Sequence, residues 1–150
     1  MEATGVTHIG ICVSDMDKSL VFYRDALGMK VLGDRATDPS EGGRLHNYKH
    51  RRQTRRWVSL SYGEGVSPTL TLTSHPTEAP DGQPILLDQV GITHFSFAVN
   101  DVKGLAEELV AKGVELGGPV DAFTNDKGEM RSIYVRDPDG ILVQFNAPGG

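Results

Sequence analysis

Two histidines carry the widest chemical range in this chain, and they sit in near-copies of one segment. Val6-Thr-His-Ile-Gly-Ile-Cys-Val-Ser-Asp15 aligns without a gap with Ile92-Thr-His-Phe-Ser-Phe-Ala-Val-Asn-Asp101, so His8 and His94 are equivalent and each follows a threonine. An imidazole there can pack, hydrogen-bond or contact a ligand directly. A second concentration of chemistry is cationic: Arg44, His46, Lys49, His50, Arg51, Arg52, Arg55 and Arg56 crowd into residues 44–56. Guanidinium groups form bidentate bonds with carboxylate or phosphate. The segment therefore reads either as an anion clamp, with Arg56 foremost because it begins a strand, or as a solvated loop pairing with Asp and Glu across a dimer interface; the loop is the expectation. Cys12 is the only cysteine, which excludes an intramolecular disulfide and a multi-cysteine zinc site and predicts a small buried apolar side chain.

The elements around these residues repeat as well. Each histidine segment alternates like a strand and ends in Ser-Asp or Asn-Asp, a helix N-cap region. Leu20, Phe22, Tyr23 and Leu27 then follow helical spacing until Gly28, and Met29 to Leu32 resume extended structure. In the second copy Leu105, Leu109 and Val110 precede Gly113, with Val114 to Leu116 as the next strand. Hairpins complete both copies, Arg56 to Tyr62 turning through Gly63-Glu-Gly65 into Thr69 to Thr73, and Arg131 to Arg136 turning through Asp137-Pro-Asp-Gly140 into Ile141 to Phe145. Asp137 and Asp139 are expected to form the turn. This is βαβββ twice: a single domain over 1–150, with module one at 5–74, a linker at 75–89 and module two at 90–147. The stretch from Asp34 to Thr54 exceeds its counterpart, Val120 to Met130, and is the form that lids, interfaces or irregular loops take.

Composition narrows the function classes. A chain of 150 residues, 38% hydrophobic and 23% charged, is an ordinary globular domain with one core. A net charge of -5 gives no pull toward nucleic acid or anionic membrane, and Tyr48 and Trp57 among the basic residues do not amount to a nucleic-acid surface. No basic leader and no membrane-length apolar run are present, so the cytoplasm is the expected location.

Thr7 to Gly28 and Asp137 to Phe145, with Ile92 to Gly113 echoing the first, resemble the vicinal oxygen chelate superfamily, which includes glyoxalase I, methylmalonyl-CoA epimerase, extradiol dioxygenases, fosfomycin-modifying enzymes and bleomycin-binding proteins. The resemblance implies an α+β fold in which two βαβββ modules form a curved mixed sheet around a central pocket, the glyoxalase/bleomycin resistance/dioxygenase fold. It also implies a homodimer acting on a small-molecule substrate or ligand. Transferred residue by residue, the family's metal positions fall on His8, Thr71, His94 and Gln144. Metal-binding relatives usually carry Glu where Gln144 stands, and isomerase-like members commonly carry Glu where Thr71 stands.

Two imidazoles suit a divalent iron, manganese, nickel, cobalt or zinc ion with carboxylate or water completing the sphere, and the Gln144 amide oxygen can coordinate but carries no charge, which lowers affinity. His75, four residues beyond Thr71, is a further donor, and Glu78 and Asp81 in the linker are lesser ones. Tyr134 is a candidate acid or hydrogen-bond donor, and Arg56 and Trp57 are candidate ligand contacts. Tyr62, Phe97 and Phe123 are further wall candidates, whereas Phe145, beside Gln144, must point away into the core. The resulting expectation is a metal-dependent enzyme of dioxygenase, lyase or isomerase chemistry; the alternative is a metal-free small-molecule binding or resistance protein with no cofactor.

Overall fold

A computed structural model describes residues 1–149, and the chain divides into two units, Met1–Asp81 and Gly82–Gly150. In the first, strand β1 (His8–Cys12) leads to Asp15, whose carboxylate accepts from the Lys18 amide at 3.1 Å and caps helix α1 (Met16–Leu20). The helix widens into a π-helical stretch over Val21–Ala26 and stops at Gly28, whose φ of 76° is the left-handed geometry a helix end requires. Strands β2 (Lys30–Ala36), β3 (Arg56–Ser61) and β4 (Thr69–Ser74) complete a mixed sheet in the order β1-β4-β3-β2, with β1 and β4 parallel. The segment between β2 and β3 holds a short 3-10 stretch, Glu41–Asn47, interrupted at Gly42 and Gly43.

Alternation along the strands separates two faces of this sheet. Val58, Leu60, Leu70 and Leu72 are almost wholly buried, as are Met16, Leu20, Phe22 and Tyr23 of the helix that packs on β4. The other face carries His8, Gly10 and Cys12 beside Thr69, Thr71 and Thr73, then Trp57, and finally Gly33 and Arg35 of β2. Cys12 is exposed there. The expectation of a buried thiol fails because Cys12 shares the strand phase of His8, while its neighbours Ile11 and Val13 take the core positions.

The second unit repeats the plan with one strand fewer. Strand β5 (His94–Ala98) passes through the Asp101 cap, which accepts from Gly104 at 2.9 Å, into helix α2 (Val102–Ala111). Strands β6 (Ser132–Arg136) and β7 (Leu142–Asn146) follow, and the sheet order is β5-β7-β6 with β5 and β7 parallel. The strand expected at Val114 to Leu116 is reduced to one bridge, Leu116 to Val135. Gly117, Gly118 and Pro119 end it: the Gly117 amide donates to the Tyr134 carbonyl at 2.7 Å, and a Cβ on Gly117 would stand 2.9 Å from Cβ of Tyr134. Phe95, Ile133, Val135, Val143 and Phe145 are buried, and Phe145 is in the core as expected. Asp137 builds the last turn, its Oδ1 accepting from the amides of Asp139 and Ile141.

Candidate functional site

The open face of each sheet holds one of the duplicated histidines, and each ring is oriented by the residue before it. In the first unit His8 is exposed, with its Nδ1 3.0 Å from Oγ1 of Thr7; in the second His94 is half-buried, with its Nδ1 2.8 Å from Oγ1 of Thr93. Occupying Nδ1 in this way leaves Nε2 of each imidazole as the nitrogen for a ligand. For Nε2 to donate its lone pair, Nδ1–H must be the donor to the threonine hydroxyl, which places a tautomer-setting partner beside each ring. His94 also meets Tyr134 edge-on, centroid to centroid at 5.4 Å.

The register extends the equivalence to the last strands. Gly10, two residues beyond His8, pairs with Thr71; Ser96, two beyond His94, pairs with Gln144. Gln144 is also paired with Tyr134 across β6. Its Nε2 donates to Oγ of Ser132 at 2.9 Å, and its Oε1 accepts from Nδ2 of Asn146 at 3.4 Å, while Asn146 donates to Oγ of Ser96 at 3.0 Å. The amide oxygen retains a second lone pair. Thr71 has a hydroxyl but no charge, so neither open face contributes a carboxylate at these positions.

His75 is tethered differently. Its Nδ1–H donates to the Thr54 carbonyl at 2.6 Å, and its ring meets Tyr48 edge-on at 5.4 Å. The linker acids are engaged as well. Glu78 accepts from the amides of Gln53 and Thr54 and from the Thr54 hydroxyl, at 2.7–3.1 Å, and these donors, the Gln53 amide foremost, hold its carboxyl at about 2. Asp81 meets Lys49 at 2.7 Å and His50 at 3.3 Å. Lys49 and His50 of the basic segment thus pair with an acid of their own unit, because the linker runs alongside them. Within neither unit do three His, Cys, Asp or Glu side chains group to hold a metal among the described residues.

Arg56 and Trp57 point to opposite faces, as consecutive strand residues must. Arg56 makes a two-pronged contact with Asp34, at 3.0 and 2.8 Å, and reaches Asp17 of α1 at 3.0 Å; these carboxylates raise its pKa and Arg56 lowers that of Asp34. Trp57 lies on the His8 face, with the Arg35 guanidinium 4.4 Å above its ring. Of the other wall candidates, Tyr62 and Phe123 lie outside the strands, and Phe97 packs against Phe95 and Phe145. The roles of Arg35, Thr7, Thr93, Ser132 and Asn146 were not singled out from the sequence, although strand phase and the repeated Thr-His pair carry the signal for all but Arg35 and Asn146, whose roles depend on pairing.

Residues 5–145 match the family model described as Glyoxalase/Bleomycin resistance protein/Dioxygenase superfamily. The probable chloroplastic lactoylglutathione lyase of Arabidopsis thaliana is 27% identical over 92% of this chain, which spans 34% of that relative's length. Among solved structures, the trypanothione-dependent glyoxalase I of Leishmania major superposes with a TM-score of 0.70 at 26% identity, covering 97% of this chain and 87% of that one. The antibiotic binding protein TnmS3 of a Streptomyces species shares the fold, with a TM-score of 0.63 at 24% identity and 99% of each chain covered.

Proposed function

The chain belongs to the Glyoxalase/Bleomycin resistance protein/Dioxygenase superfamily, and from that premise we propose that it is a small-molecule enzyme whose His8, His94 and Gln144 hold a divalent ion of iron, manganese, nickel, cobalt or zinc. The observation that carries this reading is the duplicated Thr-His pair: two imidazoles at the same strand position, each with Nδ1 engaged by the preceding threonine. Such a donor set fits a borderline divalent metal, and its lack of charge makes it weaker than one with a carboxylate. Thr71 and His75 are secondary donors. When bound, the ion supplies Lewis-acid polarisation of neighbouring substrate oxygens.

The chain's own residues do the rest. Thr7 and Thr93 set the ring orientations, Tyr134 offers a hydroxyl beside His94, and Trp57 supplies an aromatic wall. Neither Thr71 nor Gln144 is a base at neutral pH, so a reaction that moves a carbon-bound proton needs its base elsewhere. This favours chelation-driven oxygen chemistry over isomerisation of the usual kind. The enzyme works as a cytoplasmic homodimer.

A second reading has an observation of its own. The Gln144 amide is already spent on Ser132 and Asn146, an arrangement that suits a polar wall for a metal-free bound molecule, and the fold is shared with an antibiotic binding protein.

Elemental analysis of protein purified without chelator or affinity-tag metal, followed by retitration with iron, manganese, nickel and zinc, separates the two. Near-stoichiometric metal that disappears in the His8→Ala, His94→Ala double variant is the expected result. Protein that takes up none of these ions overturns the metal reading in favour of the binding protein.

A further inference from the structure

The helix side of the first sheet ends in a cleft of about 400 Å³, bounded by residues 14–17, the facing ends of β3 and β4, and the linker over 75–80. Asp15, Asp17, Arg56, Ser74, His75 and Glu78 line it, all within the first unit. Arg56 and Ser74 are paired across β3 and β4, and alternation puts both on the face of Val58 and Leu72, opposite His8. Charge in this cleft is unbalanced. Three carboxylates meet one guanidinium, and that one is shared, because Arg56 donates through Nη1 to Asp17 and through Nε and Nη2 to Asp34. Among the described residues Asp15 and Glu78 have no cation within ion-pair distance. Their hydrogen-bond donors are neutral: the Lys18 amide for Asp15, and Gln53 and Thr54 for Glu78. Glu78 also feels the charge of Arg52, but that guanidinium donates to the Ala79 carbonyl at 3.1 Å and is not part of the lining. His75 has its Nδ1 on the Thr54 carbonyl.

Ser74 is an independent sign that the cleft takes a ligand. The residue is only 4% exposed, yet its hydroxyl has no hydrogen-bond partner among the described residues. A buried polar group left in that state bears its desolvation cost uncompensated, so it calls for an explanation. The hydroxyl of Ser19, also without a partner, is sealed inside the packing of α1. That of Ser74 is not sealed, and it opens where Ser74 lines the cleft. An excess of carboxylate beside an unused hydroxyl matches a cationic ligand that donates several hydrogen bonds. Among the described residues the acids are not grouped as a bare metal ion requires. A primary ammonium instead carries three N–H donors on one charged nitrogen and makes charge-assisted bonds to separate oxygens.

We propose that Asp15, Asp17 and Ser74, supported by the charge of Glu78, bind the primary ammonium group of a small-molecule amine. Oδ1 of Asp15 is engaged by the Lys18 amide and Oδ1 of Asp17 by Arg56, so Oδ2 of each aspartate and Oγ of Ser74 are the acceptors. The site lies on the other face of the sheet from His8 and does not depend on a metal.

The test uses chelator-treated full-length protein titrated with methylammonium chloride at constant ionic strength, with sodium chloride and tetramethylammonium chloride as controls. Binding is read by calorimetry and by the amide resonances of Asp15, Asp17 and Ser74. Saturable binding of methylammonium is expected, absent with sodium and with tetramethylammonium, which has the charge but no N–H. Ser74→Ala should weaken it roughly tenfold, the loss expected of one charge-assisted hydrogen bond. The same change should leave the urea midpoint where it is, because the hydroxyl has no partner to lose in the free protein. Asp17→Asn should weaken binding at least as much, whereas Glu64→Gln, on the turn between β3 and β4, should leave it intact. Circular dichroism establishes that the variants fold, and Asp17→Asn, at a carboxylate 88% exposed, carries the test if Ser74→Ala does not. Methylammonium binding no tighter than that of tetramethylammonium overturns the site, as does saturable binding that survives both substitutions.

Discussion

The two units open alike, with a strand, a Thr-His pair, an aspartate cap and a helix, yet their sheets end differently. In the first, β2 is a full strand that brings Arg35 over Trp57 and is followed by a long segment secured by Glu78. In the second, the corresponding stretch makes one bridge, and the open face is instead knitted by Ser132, Gln144, Asn146 and Ser96. A duplicated scaffold thus keeps what orients the histidines and varies what surrounds them. One face becomes cationic at its edge, and the other becomes a neutral hydrogen-bonded surface.

The largest effect should come from the feature the units share. Leu72 and Phe145 occupy corresponding buried positions on the last strands, so Leu72→Ala and Phe145→Ala should each destabilise by about 3–4 kcal/mol. Thr71→Ala and Gln144→Ala, one residue away on the open faces, should cost under about 1 kcal/mol. Urea denaturation of the four variants checks this; equal costs within either pair would show that its two faces are not the core and open surface described.

A smaller effect separates the units. Gly117→Ala drives a Cβ into Tyr134, part of it against backbone, and should cost about 2 kcal/mol while disturbing the His94–Tyr134 contact. Gly33→Ala meets only the Trp57 ring, whose displacement should cost about 1 kcal/mol and shift its fluorescence. A reversal of that order would mean the second unit gives way more easily than its close backbone approach implies.

The smallest effect is local and depends on pH. Glu78, held at about 2 by the Gln53 amide and the Thr54 amide and hydroxyl, lies below the ordinary glutamate value of about 4.3. A depressed carboxylate pKa contributes stability that is present above the ordinary value and lost as pH falls through the folded one. The Gln53 and Thr54 amide resonances should therefore move together as the pH falls through about 2, and Glu78→Gln should abolish that titration. The loop of the second unit is secured by Oδ1 of Asn125, which accepts from the amides of Lys127 and Glu129 and does not titrate. A matching Glu78-dependent shift there would contradict the independence of the two anchors.

Local patterns determined much of this protein. Alternating strands, the two Asp caps, Gly28 and Gly113 as helix stops, the Asp137 turn, and the equivalence of His8 with His94 all depend on residues near one another in the chain, where propensity and periodicity are decisive. The burial of Phe145 followed from its phase relative to Gln144 in the same way. What only the tertiary structure decided depends on which strand lies beside which. The shortening of the second sheet at Gly117 requires Tyr134 as a neighbour. Arg56 becomes a brace because Asp34 and Asp17 reach it from β2 and α1, and Arg35 meets Trp57 only through the β2–β3 register. The basic segment is anchored by Glu78 and Asp81 because the chain returns beside it. Charge partners and close approaches are set by long-range pairing, so a linear pattern names the residues that carry charge but not the groups that will meet them.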